Sequence, residues 1–166
     1  MAVVSLRGKA CHTSGELPSV GTAAPDFILT NTKFKDVSLA NFPGKKKLLY
    51  IVPSLDTPVC AKTTIELDTT MADYPDTQAL LVSADLPFAL GRFCGAQKLK
   101  NIQPLSFFRN QNFAGSYGVL LTDGPLAGLA ARAVVIIDEK DKVIYSEWVE
   151  EISNEPDFNS VLGLVG

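Results

Sequence analysis

The sequence predicts an α/β fold built on a mixed sheet. Three observations lead there. A continuous apolar run over 48–52 and the largely apolar segment 79–83 have the length and composition of buried strands. Each is followed by a segment of helical character with a proline in its first turn, Pro58 and Pro87. Near the end, runs 131–137 and 142–149 flank the polar turn Asp138-Glu139-Lys140-Asp141. Strand–helix repeats call for parallel strands, and the closing hairpin adds an antiparallel pair.

The elements follow in order. Residues 2–6 and 9–13 read as a small hairpin around Arg7-Gly8. Residues 15–25 form a Gly/Pro-punctuated connector, and 26–30 and 35–39 two short strands around Asn31-Thr32. Residues 47–52 are a central strand. From Pro58 to about residue 74 the spacing is helical, with Val59, Thr63, Leu67 and Thr70 or Met71 on one face. Asp56 or Thr57 is placed to cap it, and Pro75-Asp76 ends it. Strand 79–83 comes next, then a helix over 86–98 with Gly95 as its weak point. Strand 104–108, a short helix over 112–118, a Gly-containing loop over 123–130, the hairpin, and a helix over 155–164 complete the chain. This is the layout of a thioredoxin-like α/β fold, a mixed sheet flanked by helices. It reads as a single domain over 1–166, with residues 1–14 as an N-terminal β-hairpin extension.

Composition narrows the function. At 166 residues, 46% apolar and 20% charged, the chain has the makeup of an ordinary globular protein. A net charge of −3 argues against a nucleic-acid-binding surface. The one basic cluster, Lys45-Lys46-Lys47, reads as a solvated turn before a strand. No run approaches the roughly 18 to 20 apolar residues of a membrane span. No secretory leader and no membrane association are expected, because Arg7, Gly8 and Lys9 interrupt the short apolar start. Three cysteines, an odd number, fit a reducing compartment, so a cytoplasmic location is expected.

The cysteines carry the chemistry. Cys60 sits where a strand runs into a helix, and unpaired helix N–H groups there favour a thiolate. Free cysteines are more often inert core residues, but here the context weighs against that. Thr57 lies one turn before Cys60, within reach of its sulfur, and Pro53 and Pro58 stiffen and shield the loop. A reactive thiolate needs a cation. Arg132 is the best candidate, because it opens the apolar strand at 133–137 and a buried charge needs a partner. A salt bridge to a carboxylate is the competing explanation for it, and Arg92 and Arg109 are the other candidate cations. Cys94, flanked by Gly91 and Gly95, reads either as core or as a second redox thiol. Cys11 reads as a bystander. One histidine, His12, supplies neither a zinc site nor histidine-based catalysis, and no phosphate-binding loop is present, so no metal and no cofactor are expected.

At this point the chain resembles the peroxiredoxins, and within them the thiol peroxidase subgroup. The run from Pro53 through Thr57 to Cys60 is similar to the family's P-x-x-x-T-x-x-C loop. Val20-Gly21-Thr22-Ala23-Ala24-Pro25-Asp26-Phe27 resembles its entry motif. The segment from Ser83 to Cys94 resembles the resolving-cysteine segment, and that from Asp123 to Arg132 the arginine segment. Cys11 stands outside the pattern. The resemblance implies Cys60 as peroxidatic cysteine and Cys94 as resolving cysteine, joined in an intramolecular disulfide after a Cys60 sulfenic acid. It implies Thr57 and Arg132 holding the peroxide and Pro53 shielding the thiolate. It implies hydrogen peroxide and organic hydroperoxides as substrates, thioredoxin as reductant, and a homodimer. A redox sensor or a general thiol–disulfide oxidoreductase on the same fold are the alternatives. The second is disfavoured by the lone Cys60 between Val59 and Ala61, where such enzymes carry CxxC.

Overall fold

The computed structural model describes residues 1–165; Gly166, the last residue of the expected domain, lies outside the described residues. Strands β1 (Val3–Leu6) and β2 (Lys9–His12) form the expected hairpin. Arg7 and Gly8 both take positive φ, at 52° and 80°, as a tight two-residue hairpin turn requires. Strands β3 (Leu29–Thr30) and β4 (Asp36–Val37) are shorter than their sequence suggests. Side chains take the backbone donors a longer ladder would use. The Asp26 carboxylate accepts from Phe27 and Leu39 N–H, and Asn31 Oδ1 from Lys33 and Lys35 N–H.

Strand β5 (Lys46–Ile51) lies at the centre, parallel to β6 (Thr77–Ser83) and antiparallel to β8 (Ala133–Ile137). Both faces of β5 are covered, which is why its apolar run is continuous. Strand β7 (Ile102–Ser106) begins two residues earlier than expected. The Asp68 carboxylate accepts N–H bonds from Lys100, Asn101 and Ile102 and launches the strand there. With β9 (Val143–Trp148) the sheet has seven strands in the order β4-β3-β7-β6-β5-β8-β9.

Helices α1 (Pro58–Met71), α2 (Pro87–Gln97) and α4 (Phe158–Leu162) pack on one face. Helix α3 (Asn112–Ser116) and residues 27–42 cover the other. The fold is therefore the thioredoxin-like mixed sheet that the sequence predicts. Helix α1 is turned slightly from its expected orientation. Cys60, Thr63, Thr64, Leu67 and Met71 are buried, and Val59 is only half-buried. Helix α4 starts late because Asp157 caps it, accepting from Asn159 N–H. A third small core, Val4, Cys11, Leu121, Ala131 and Ile152, joins the hairpin to the sheet beside Arg132. Among the described residues no helix is long and apolar enough to cross a membrane.

The basic cluster departs from expectation. Lys47 is buried on β5 rather than solvated, and its ammonium donates to Asp141 Oδ1 at 2.6 Å and to Asp138 O at 3.1 Å. The pair pins the β8–β9 turn to the central strand. Removing the carboxylate charge leaves a buried ammonium short of its anion. Asp141→Asn should therefore lower unfolding stability by about 2 kcal/mol in urea titrations, and Lys47→Met added to it should recover most of that loss.

Candidate active site

The loop between β5 and α1 is held from below by Asp85, just past β6. Its carboxylate accepts from Ser54 Oγ at 2.7 Å and Leu55 N at 2.8 Å, and also from Ser83 Oγ. Thr57 is the helix cap: its oxygen accepts from Cys60 N–H at 3.4 Å. Its own hydrogen goes to Ser54 O at 3.0 Å. The hydroxyl thus holds the backbone of Cys60 rather than its sulfur. Pro58 occupies the first helical turn, where its missing N–H costs nothing.

Cys60 is completely buried, and Arg132 is only 1% exposed. The guanidinium meets the sulfur, with Arg132 Nη1 donating to Cys60 Sγ at 2.9 Å. The same nitrogen donates to Tyr50 Oη at 2.8 Å, and Nε donates to Ile152 O at 2.9 Å. These contacts are one sulfur and two neutral oxygens; no carboxylate lies within salt-bridge distance of Arg132 among the described residues. The competing explanation, a salt bridge, is therefore not what the geometry shows. The buried guanidinium thus faces the Cys60 sulfur directly. Tyr50 also bonds Thr63 Oγ1 at 2.7 Å, and burial raises its pKa above the ordinary phenol value, so its hydroxyl stays protonated.

The other two candidate arginines are elsewhere. Arg92 lies 3.9 Å from Asp56 on the surface. Arg109 donates to Asp36 at 2.8 Å and to Phe34 O, and its hydrogen bond holds the Asp36 carboxyl below the usual range.

A cleft of about 750 Å³ opens in front of Arg132. Pro53, Thr57, Val59, Leu126 and Ile152 line it, and so does Cys11 in its wall. Cys11 therefore stands nearer the site than its place in the chain suggests, although no contact joins it to Cys60. His12 Nδ1 lies 2.6 Å from Asp123 and ties the hairpin to the 123–130 loop. That link holds the Asp123 carboxyl below its ordinary value, mainly through His12 N–H. Among the described residues no group of three or more His, Cys, Asp or Glu is arranged to hold a metal ion.

Cys94 is a half-buried residue of α2, and both it and Cys60 are free thiols. Burial, with the Asp68 charge in second place, pushes the Cys94 thiol up to about 11. Gly95 beside it has open space around it, and the helix ends at Lys98 in the left-handed conformation.

Residues 19–162 match the redoxin family model. The thiol peroxidases of Mycobacterium tuberculosis and Mycobacterium bovis are each 48% identical over 166 residues, covering 100% of this chain and 99% of theirs. A peroxiredoxin-like protein from Aquifex aeolicus superposes with TM-score 0.94 at 35% identity, over 99% of this chain and 96% of that one. A thiol peroxidase from Chromobacterium violaceum does so at 0.88 and 27%, over 98% and 94%.

Of the site residues expected from the sequence, Pro53, Thr57 and Arg132 line one cleft, and Cys60 lies buried behind it against Arg132. Sequence reasoning missed Tyr50, hidden as one more apolar residue in a buried strand. It missed the role of Asp85, whose only signal is a Ser-Ala-Asp turn at a strand end. In reduced Cys60→Ser protein, iodoacetamide should modify Cys94 slowly at neutral pH and faster with each step towards about pH 11. A modification rate that is flat between about pH 7 and about pH 9 contradicts this environment for Cys94.

Proposed function

The chain belongs to the redoxin family, and on that premise we propose that it reduces hydrogen peroxide and organic hydroperoxides through Cys60. The observation that carries this reading is the 2.9 Å contact between Arg132 and Cys60, buried and without a competing carboxylate. The Cys60 thiolate attacks the terminal peroxide oxygen. The S–O bond forms as the O–O bond breaks, and the leaving oxygen takes a proton to become water or an alcohol. The Arg132 guanidinium stabilises the charge that spreads over the two oxygens. Tyr50 Oη and Ile152 O keep it from turning away. Thr57, whose hydrogen is committed to Ser54 O, offers a lone pair to the peroxide's terminal O–H. Pro53 closes the cleft beside it and keeps water from the sulfur. The apolar cleft wall supports organic hydroperoxides among the substrates.

Cys60 is left as a sulfenic acid, which Cys94 attacks to form an intramolecular disulfide and release water. We read α2 as unwinding around Gly91 and Gly95 to deliver Cys94, since a disulfide needs Cα atoms within about 7 Å. Unwinding also takes Cys94 out of the environment that suppresses its ionisation. Thioredoxin then restores both thiols by dithiol exchange. We further read the chain as one domain over 1–166 acting as a cytoplasmic homodimer. Three free cysteines fit a reducing compartment. An exposed aromatic patch supports the dimer: Phe34 and Phe88 pack at 4.8 Å beside exposed Leu86.

Cys60→Ser should abolish hydroperoxide reduction. Cys94→Ser should consume one equivalent of peroxide and then stop, with no turnover coupled to thioredoxin. Full coupled turnover by Cys94→Ser would remove the resolving role. In sedimentation equilibrium the protein should behave as a dimer, and Phe88→Glu should shift it to monomer; a monomeric parent protein at micromolar concentration refutes that assembly.

A further inference from the structure

We propose that Glu151 is a positioning residue for Arg132, acting through the N-terminal hairpin and the Ile152 carbonyl. The inference rests on the reading of Cys60 as the attacking thiol and adds the device that keeps its arginine in place.

Arg132 has three fixed contacts, and only Nε→Ile152 O lies outside the group formed by Cys60 and Tyr50. That bond sets the rotation of the guanidinium plane. Ile152 belongs to none of the seven strands of the main sheet; it follows β9 in an irregular segment. Its N–H donates to Ser5 O at 2.8 Å, while Ser5 N–H donates to Glu150 O at 2.7 Å. The carbonyl that holds Arg132 is therefore strung between the arginine and strand β1.

An isolated two-stranded hairpin is marginally stable in water. The small core around Val4 and Cys11 and the His12–Asp123 link hold one side of this one, and Glu151 holds its turn. Its Oε1 accepts from Gly8 N at 2.8 Å and Ser5 Oγ at 3.2 Å. Its Oε2 accepts from Arg7 N and Ser153 N, each at 3.1 Å, and from Ser153 Oγ at 2.8 Å. The carboxylate thus receives both N–H groups of the turn and both donors of Ser153, and so fixes Ile152 from either side. These donors, Gly8 N–H first, pull the Glu151 carboxyl down to about 2. The sign follows: the clamp is complete above the ordinary glutamate value and is lost as pH falls towards about 2. At neutral pH it is always made.

Glu151→Gln separates positioning from mere support. Both oxygens face donors only, so an amide NH₂ meets an N–H or O–H in either orientation while the shape is kept. The variant should slow the first, peroxide-reducing step about tenfold in stopped-flow fluorescence and move the pH profile of Cys60 alkylation upward. Resolution by Cys94 should keep its rate. Thr77→Ala, which loses a bond to Val165 O far from the site, should lower the melting temperature and leave both readouts unchanged. Ser153→Ala removes one of the five bonds and should slow the same step about twofold, which carries the test if Glu151→Gln does not fold. Variants that melt lower yet react with peroxide and alkylate like the parent protein overturn the positioning role. A parent protein inert to peroxide overturns the peroxidase reading itself, and this inference with it.

Discussion

A guanidinium buried without a carboxylate is the constraint around which the molecule is organised. Desolvating an arginine costs several kcal/mol unless its donors are satisfied and its charge is answered. Here two neutral oxygens satisfy donors, and the remaining charge falls on one sulfur. Each partner comes from a different part of the chain. Tyr50 comes from the central strand, Cys60 from the first helix, and Ile152 from the segment after the last strand. Arg132 itself stands at the head of β8. The sheet order puts β5 beside β8, and that adjacency places Tyr50 and Arg132 together.

The second thiol sits in the opposite kind of environment. Arg132 offers Cys60 a positive charge, whereas burial and Asp68 hold Cys94 in its protonated form. The two thiols thereby meet opposite electrostatic surroundings. The difference lasts only while α2 is folded. Asp68 pins the backbone beyond that helix at Lys100, Asn101 and Ile102, so its motion has a fixed far end. The proposed cycle needs the helix to open near Gly95 and leave that anchor in place.

The parts legible in the sequence were those with local causes. The runs at 48–52 and 79–83 announce strands because both faces are buried, and Arg132 stands out as a charge entering an apolar strand. The loop from Pro53 to Cys60 is legible because cap, proline and thiol lie within one helical turn of each other. Other features depend on partners far along the chain. The Ile152 carbonyl has no side-chain signature, and Glu151 looks like any surface glutamate until the hairpin meets it. Tyr50 reads as one more apolar residue. Lys47 reads as solvated because Asp141, its partner, lies on a distant turn. Strands β3 and β4 came out short because Asp26 and Asn31 compete for backbone donors, which a propensity count does not weigh. Cys11 reads as a bystander in the sequence because only the third dimension brings β2 to the cleft wall.

The central claim is that Arg132 singles out Cys60 among three thiols. The most direct measurement adds one equivalent of hydroperoxide to the fully reduced protein, followed by intact mass and peptide mapping. The account predicts oxidation that begins at Cys60 and ends as a Cys60–Cys94 cross-linked peptide, two hydrogens lighter, with Cys11 still free. Oxidation located on Cys11 or Cys94 while Cys60 remains an unmodified thiol would contradict it.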